Sequence, residues 1–205
     1  SLHMSYWPKN NTPDGLVFIH IPKTAGLSVQ AWHRQRFGKV HKAMHADVQH
    51  PHISKAMKTM QSFCVVRNPY DLCYSWYRYK EEMLNEPRHH CPDEAGAWIK
   101  GFDYWMLHYF NKINYSNDKS TQGRNPIGPS KTMLDYISVG GKVKVDHVLR
   151  FESLNEDIKQ FGGPELAHTN KSRGSNNYRN AYTPASKLIV ETAYAKDLEY
   201  FSYSF

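Results

Sequence analysis

Leu16-Val17-Phe18-Ile19-His20-Ile21-Pro22-Lys23-Thr24-Ala25-Gly26-Leu27-Ser28 is the stretch around which the rest of the chain is organised. Leu16 to Ile21 is an apolar run rich in β-branched and aromatic residues, the pattern of a buried strand. Pro22 ends it, because proline has no N–H to give a sheet. Lys23 to Ser28 are mostly small or polar, and Val29, Trp32 and Arg36 follow at roughly helical spacing. The stretch therefore predicts strand, tight turn, helix. In that geometry backbone N–H groups at the helix start converge on one spot, where the helix dipole also favours an anion. Lys23 adds a mobile positive charge, and Thr24 and Ser28 add hydroxyl donors. The functional reading is a phosphate or sulfate cradle. It is not a Walker A loop, which orders glycine and lysine differently. An ordinary turn with a solvated lysine has the same letters, and spacing alone leaves both readings open.

Outward from this stretch, composition sets bounds. The chain has 205 residues, room for one domain with a real core. A formal charge of +7 suits an anionic cofactor, an acidic acceptor or nucleic acid, without choosing among them. Cys64, Cys73 and Cys91 are an odd, sparse set, read as reduced thiols in a reducing compartment. No stretch is long enough to span a membrane, and no charged leader with an apolar core precedes Leu16. Ser1-Leu2-His3-Met4 looks like a cloning remnant ending at a natural Met4. With Met4 as the native start, the expected location is cytoplasmic; a trimmed Golgi-lumenal or secreted chain is the alternative.

Residues 1–15 read as that remnant and an irregular arm, and 16–205 as a single domain. A short strand is expected at 39–43, a loop carrying His45 after it, and a short helix at 52–60. Ser62-Phe63-Cys64-Val65-Val66-Arg67 is a second buried strand. Asn68 is a good helix N-cap, Pro69 suits the first helical position, and Asp71 stands where a capping-box acid would. The helix beyond should present Leu72, Trp76, Tyr79 and Met83 on one face and end near Pro87. Residues 94–110 read as helical, 111–130 as a long polar loop of the kind that is often functional, and 131–138 as a short helix. Gly140-Gly141 leads into a third strand, Val145 to Arg150, followed by a helix from Glu152 to Phe161. Gly162 to Ala181 is polar and irregular. Thr183 should cap a last helix, with Pro184 at its first position and Leu188, Ile189, Thr192 and Ala193 facing inward. The alternation of strands and helices predicts an α/β sandwich with a mainly parallel sheet.

Arg67 and Ser75 form a second constellation. Arg67 closes a buried strand, and ligands of parallel sheets meet the carboxyl ends of strands. Ser75 lies about two turns into the helix. Arginine and serine can converge on one anion; a serine bonded back to its own helix is the plainer alternative.

His-Ile-Pro-Lys-Thr-Ala-Gly resembles the 5′-phosphosulfate loop of sulfotransferases that use 3′-phosphoadenosine 5′-phosphosulfate (PAPS), most of all the Golgi carbohydrate sulfotransferases and their bacterial relatives. Val-Val-Arg-Asn-Pro-Tyr-Asp with Ser75-Trp76-Tyr77 resembles their 3′-phosphate motif. Asp146 to Glu152 and the tail from Asn170 resemble the later strand and C-terminal segment. The likeness runs from about Leu16 to Phe205 and is sparse between 85 and 140. It departs at Leu27, where the family has Thr or Ser, and at Leu72, where arginine is common.

The resemblance implies a P-loop-like three-layer sandwich and transfer of a sulfuryl group from PAPS to an acceptor hydroxyl, leaving adenosine 3′,5′-bisphosphate. Lys23, Thr24, Ala25, Gly26, Leu27, Ser28, Arg67 and Ser75 are the implied cofactor contacts. Lys171, Ser172 and Arg173 read as a solvated basic loop or as a flap over the cofactor, and similarity favours the flap, with Tyr178 or Tyr182 near the adenine. His45 is the implied base, since a near-neutral imidazole can take the acceptor's proton; His20 is the runner-up, with core packing its plainer role, and Glu152 and Asp47 rank lower. His41, His45, His50, His52, His89 and His90 match no common zinc spacing, so no metal is expected. The implied acceptor is a carbohydrate, with no nucleic acid partner. A P-loop kinase-like phosphotransferase would call for a Walker A loop and Mg²⁺ ligands. A basic module for nucleic acid or polyanions would explain the charge but not two ordered motifs. Neither the acceptor nor the oligomeric state has a signature in the chain.

Overall fold

The structure, a computed structural model, describes residues 15–37, 46–82, 100–108, 110, 131–160 and 178–205. In chain order its elements are β1 (Leu16–Ile19), α1 (Gly26–Phe37), α2 (Pro51–Ala56), β2 (Gln61–Val66), α3 (Pro69–Glu82), α4 (Phe102–His108), α5 (Met133–Ile137), β3 (Ser138–Val139), β4 (Lys142–Val143) and β5 (His147–Arg150). A 3₁₀ turn (Phe151–Ser153) leads to α6 (Leu154–Gln160), α7 (Tyr178–Ala181), α8 (Pro184–Ala193) and α9 (Ala195–Tyr200). No described helix is long and apolar enough to cross a membrane. The architecture is mixed α/β around a small parallel sheet. The chain divides into two compact units, Ser1–Arg67 with Met133–Lys171, and Asn68–Thr132 with Ser172–Phe205.

The first unit holds the sheet, in the order β1-β2-β5 and parallel throughout. Its strands read as near-continuous apolar runs because both faces are covered: Val17, Ile19, Phe63, Cys64, Val65 and Val66 are fully buried. On one face Leu16, Phe63, Val65 and Leu149 pack with Val29 and Trp32 of α1 and Ile158 of α6. His33, one turn from Val29, is buried and donates from Nε2 to the Leu16 carbonyl, tying α1 to the start of β1. At the opposite edge of β2, Asp146 Oδ2 accepts from the Ser62 N–H (2.8 Å) and the Ser62 hydroxyl (3.2 Å). These bonds pin the entry to β5 beside a strand 84 residues earlier.

Several expectations change in detail. β1 stops at Ile19, not at the proline: the Ile21 N–H turns back to the Ile19 carbonyl (3.1 Å), which leaves the ladder before Pro22 is reached. Gly140-Gly141, read as a simple lead-in, is the turn of an antiparallel hairpin, β3 with β4. Both glycines are left-handed, at φ +57 and +78, as a two-residue turn that matches strand twist requires. The third strand consequently begins at His147, since the Lys144 N–H bonds the Ile137 carbonyl instead. The expected strand at 39–43 lies outside the described residues.

The second unit is helical and aromatic. Asn68 caps α3 as expected, its Oδ1 accepting from the Tyr70 N–H (3.1 Å), and its amide donates to the Ser204 carbonyl (2.8 Å). Leu72, Cys73, Trp76 and Tyr77 are the buried residues of that helix beyond its first turn, among those whose side chains are described. Phe102 and Trp105 of α4 pack on Tyr77, with ring centroids 5.4 and 5.7 Å away. Thr183 caps α8 through a reciprocal box with Ser186, and its hydroxyl donates to Asp103 of α4 (2.5 Å). The inner face of α8 is not the expected one. Ser186, Val190 and Tyr194 are buried, whereas Leu188 is 61% exposed. Apolar residues occupy most of the circumference of α8, so their spacing did not single out a face; the cap bonds of Ser186 did.

Cys64 and Cys73 are free and fully buried, and burial pushes both thiols well above their ordinary value. The native state then keeps protons that the unfolded chain releases. The stability this carries is complete below about pH 8.5, the ordinary thiol value, and falls as pH rises past it. Two results are expected: a urea midpoint that declines above that pH, and iodoacetamide labelling of these cysteines only after unfolding. Labelling of the native chain at the rate of a free thiol would contradict the burial.

Candidate functional site

The carboxyl ends of all three parallel strands lie on one edge of the first unit, and each delivers one part of the site. β1 delivers the loop Pro22–Ala25. Lys23 and Ala25 are both left-handed, at φ +64 and +78, with Thr24 between them on the ordinary side. Left-handed backbone costs a residue with a Cβ on the order of 1 kcal/mol or more. Backbone that alternates in hand is the kind that can turn successive N–H groups toward a common side, as in an anion nest. Thr24 is fully buried and its hydroxyl donates to the Ile21 carbonyl (2.7 Å), so that proton staples the loop. The first bond of α1 runs from the Val29 N–H to the Ala25 carbonyl (3.3 Å). Gly26, Leu27 and Ser28 are the first three residues of α1, the turn at which a helix presents its N–H groups. Ser28 is half-buried on that first turn.

β2 delivers Arg67, which is 3% exposed. Its Nη1 donates to the Lys23 carbonyl (3.0 Å), and its backbone N–H meets the Met133 sulfur (3.5 Å). β5 delivers Phe151, whose ring centroid lies 3.9 Å from the Arg67 guanidinium carbon. The two motifs singled out in the sequence, the lysine loop and the strand-end arginine, thus touch. Phe151 and His33 are the residues sequence reading passed over; each is placed by a partner too distant in the chain for local pattern to reveal.

The remaining candidates are placed as follows. Ser75 is half-buried on α3, which belongs to the second unit, whereas Arg67 belongs to the first. His20 is buried and stacked on Phe18, with centroids 5.3 Å apart. Glu152 is exposed, and Asp47 accepts from the Gln49 N–H (2.8 Å). Tyr182 is nine-tenths buried within an aromatic group with Tyr70, Phe102 and Phe205, its hydroxyl donating to the Tyr70 carbonyl (2.7 Å). That is the setting of a core residue. His45, Lys171, Ser172 and Arg173 lie outside the described residues. Among the described residues no group of three His, Cys, Asp or Glu is placed to hold a metal.

Fold and site define a mixed α/β protein whose parallel sheet carries a lysine loop and a buried arginine at its carboxyl edge. No protein-family model and no curated protein matches the chain.

Proposed function

We propose that this chain is a PAPS-dependent sulfotransferase acting on a hydroxyl acceptor, with a carbohydrate as the favoured class. The observation that carries the reading is the left-handed Lys23 loop, set ahead of α1 and in contact with Arg67. Two cationic side chains and a run of helix-start amides fit the anionic groups of PAPS in both charge and donor type. The fold that goes with the reading is a P-loop-like three-layer sandwich.

PAPS, when bound, supplies an activated sulfuryl group. The amides of Gly26, Leu27 and Ser28 orient its anionic end. Lys23 holds positive charge beside the bridging oxygen on which charge develops as that bond breaks. Arg67 serves the 3′-phosphate, and His45 takes the acceptor proton. Lys171, Ser172 and Arg173 complete the set of residues assigned to the nucleotide. The scheme calls on no metal.

The test is a comparison of thermal shifts. Adenosine 3′,5′-bisphosphate at about a hundredfold over its Kd should add about 2.7 kcal/mol, or a Tm rise of roughly 5 °C or more. ATP with Mg²⁺ should do much less. The reverse order would favour a phosphotransferase, and a response to polyanions alone would favour a basic binding module. An acceptor screen with labelled PAPS then identifies the product by mass.

A further inference from the structure

A buried guanidinium is costly unless its faces and donors are engaged. Arg67, at 3% exposure, has one face against Phe151 and one donor on the Lys23 carbonyl. That carbonyl belongs to the peptide joining Lys23 to Thr24. Its direction changes when Lys23 leaves the left-handed region, so a donor fixed on it opposes the change. Lysine does not hold φ +64 unaided. The anchor is itself rigid: Arg67 follows β2, the central strand of the sheet, and Phe151 follows β5, its hydrogen-bonded neighbour.

We infer that Arg67 is a positioning residue for the Lys23 loop. From the end of β2, stacked on Phe151, it holds the Lys23–Thr24 peptide in the one orientation that keeps Lys23 left-handed, and thereby aims the loop's amides and the root of the lysine side chain. The consequence for ligand binding rests on the proposed function. The holding itself is a property of the unliganded chain.

The experiment compares the full-length wild type with Arg67→Lys, Phe151→Leu and Arg67→Ala, all without ligand. The readout is the backbone ¹³C shifts of Lys23, which report the sign of φ. Expected are left-handed shifts in the wild type, displaced toward right-handed values in Arg67→Lys and Phe151→Leu. These milder variants carry the test if Arg67→Ala does not fold. A second readout is a melting cycle with Lys23→Gly. Glycine adopts positive φ without penalty, so Arg67→Lys should lower Tm less on the Lys23→Gly chain than on the wild type. Unchanged Lys23 shifts in both milder variants, or equal Tm losses on the two backgrounds, would overturn the inference. Adenosine 3′,5′-bisphosphate titrated into the wild type separates the two claims. Displaced shifts with no nucleotide binding would sink the proposed function and leave the positioning role standing.

Discussion

Lys23→Ala is expected to slow the proposed sulfuryl transfer by about a hundredfold or more while leaving the melting temperature within a degree or two of wild type. Removing one positioned donor or charge that meets a developing oxyanion costs catalysis on that scale. The structure explains why the fold should not feel the change. Alanine at φ +64 carries the same backbone penalty as lysine, so the loop is neither relieved nor further strained. The contact with Arg67 is made by the Lys23 carbonyl, which alanine retains. Thr24 still staples the loop to Ile21. Initial rates with labelled PAPS at saturating acceptor, measured beside the melting curve, check both halves. A folded variant with unchanged turnover would remove Lys23 from the mechanism; a collapse in Tm would reassign it to structure.

Phe63→Ala is expected to cost about 3–5 kcal/mol, the range for truncating a fully buried aromatic. Against a typical total of about 5–15 kcal/mol this is enough to unfold a marginal chain. Phe63 lies on the central strand, opposite Phe18 of β1 and His147 of β5. Its ring stacks on Phe18 at 4.7 Å and meets the edge of Trp32 at 5.9 Å, so truncation leaves a cavity between the sheet and α1. Leu188→Ala, at an exposed position, should change stability by less than about 0.5 kcal/mol. Urea unfolding of the two variants measures the contrast directly. Similar losses for both would mean that neither the core around Phe63 nor the inner face of α8 is where the structure puts it.

The parts of the fold that were legible are those whose causes are local. Leu16–Ile19 and Gln61–Val66 are strands because short β-branched and aromatic runs are buried on both faces, and His147–Arg150 alternates buried and half-buried positions beside them. Asn68-Pro69 and Thr183-Pro184 start helices because a side-chain acceptor satisfies an orphan N–H just where proline has none to lose. The Gly140-Gly141 hairpin has a sequence signal, two adjacent glycines with a valine in the pair on either side. The pairs are only two residues long, too short for alternation to show.

The lysine loop divides in the same way. Its position between a strand and a helix, and the presence of a lysine, were determined by the sequence itself, because strand, breaker and helix signals lie next to one another there. Its conformation was not. Gly26 is the residue local propensity would make left-handed, yet it opens α1, and Lys23 and Ala25 carry the positive φ instead. What holds a lysine in that state comes from elsewhere: a guanidinium 44 residues away in the chain, at the end of the neighbouring strand, backed by Phe151 at the end of a third. Only the parallel register of β1, β2 and β5 brings those strand ends together. The charge-assisted hydrogen bond from Arg67 to the Lys23 carbonyl is the long-range contact set against that local preference, which is on the order of 1 kcal/mol.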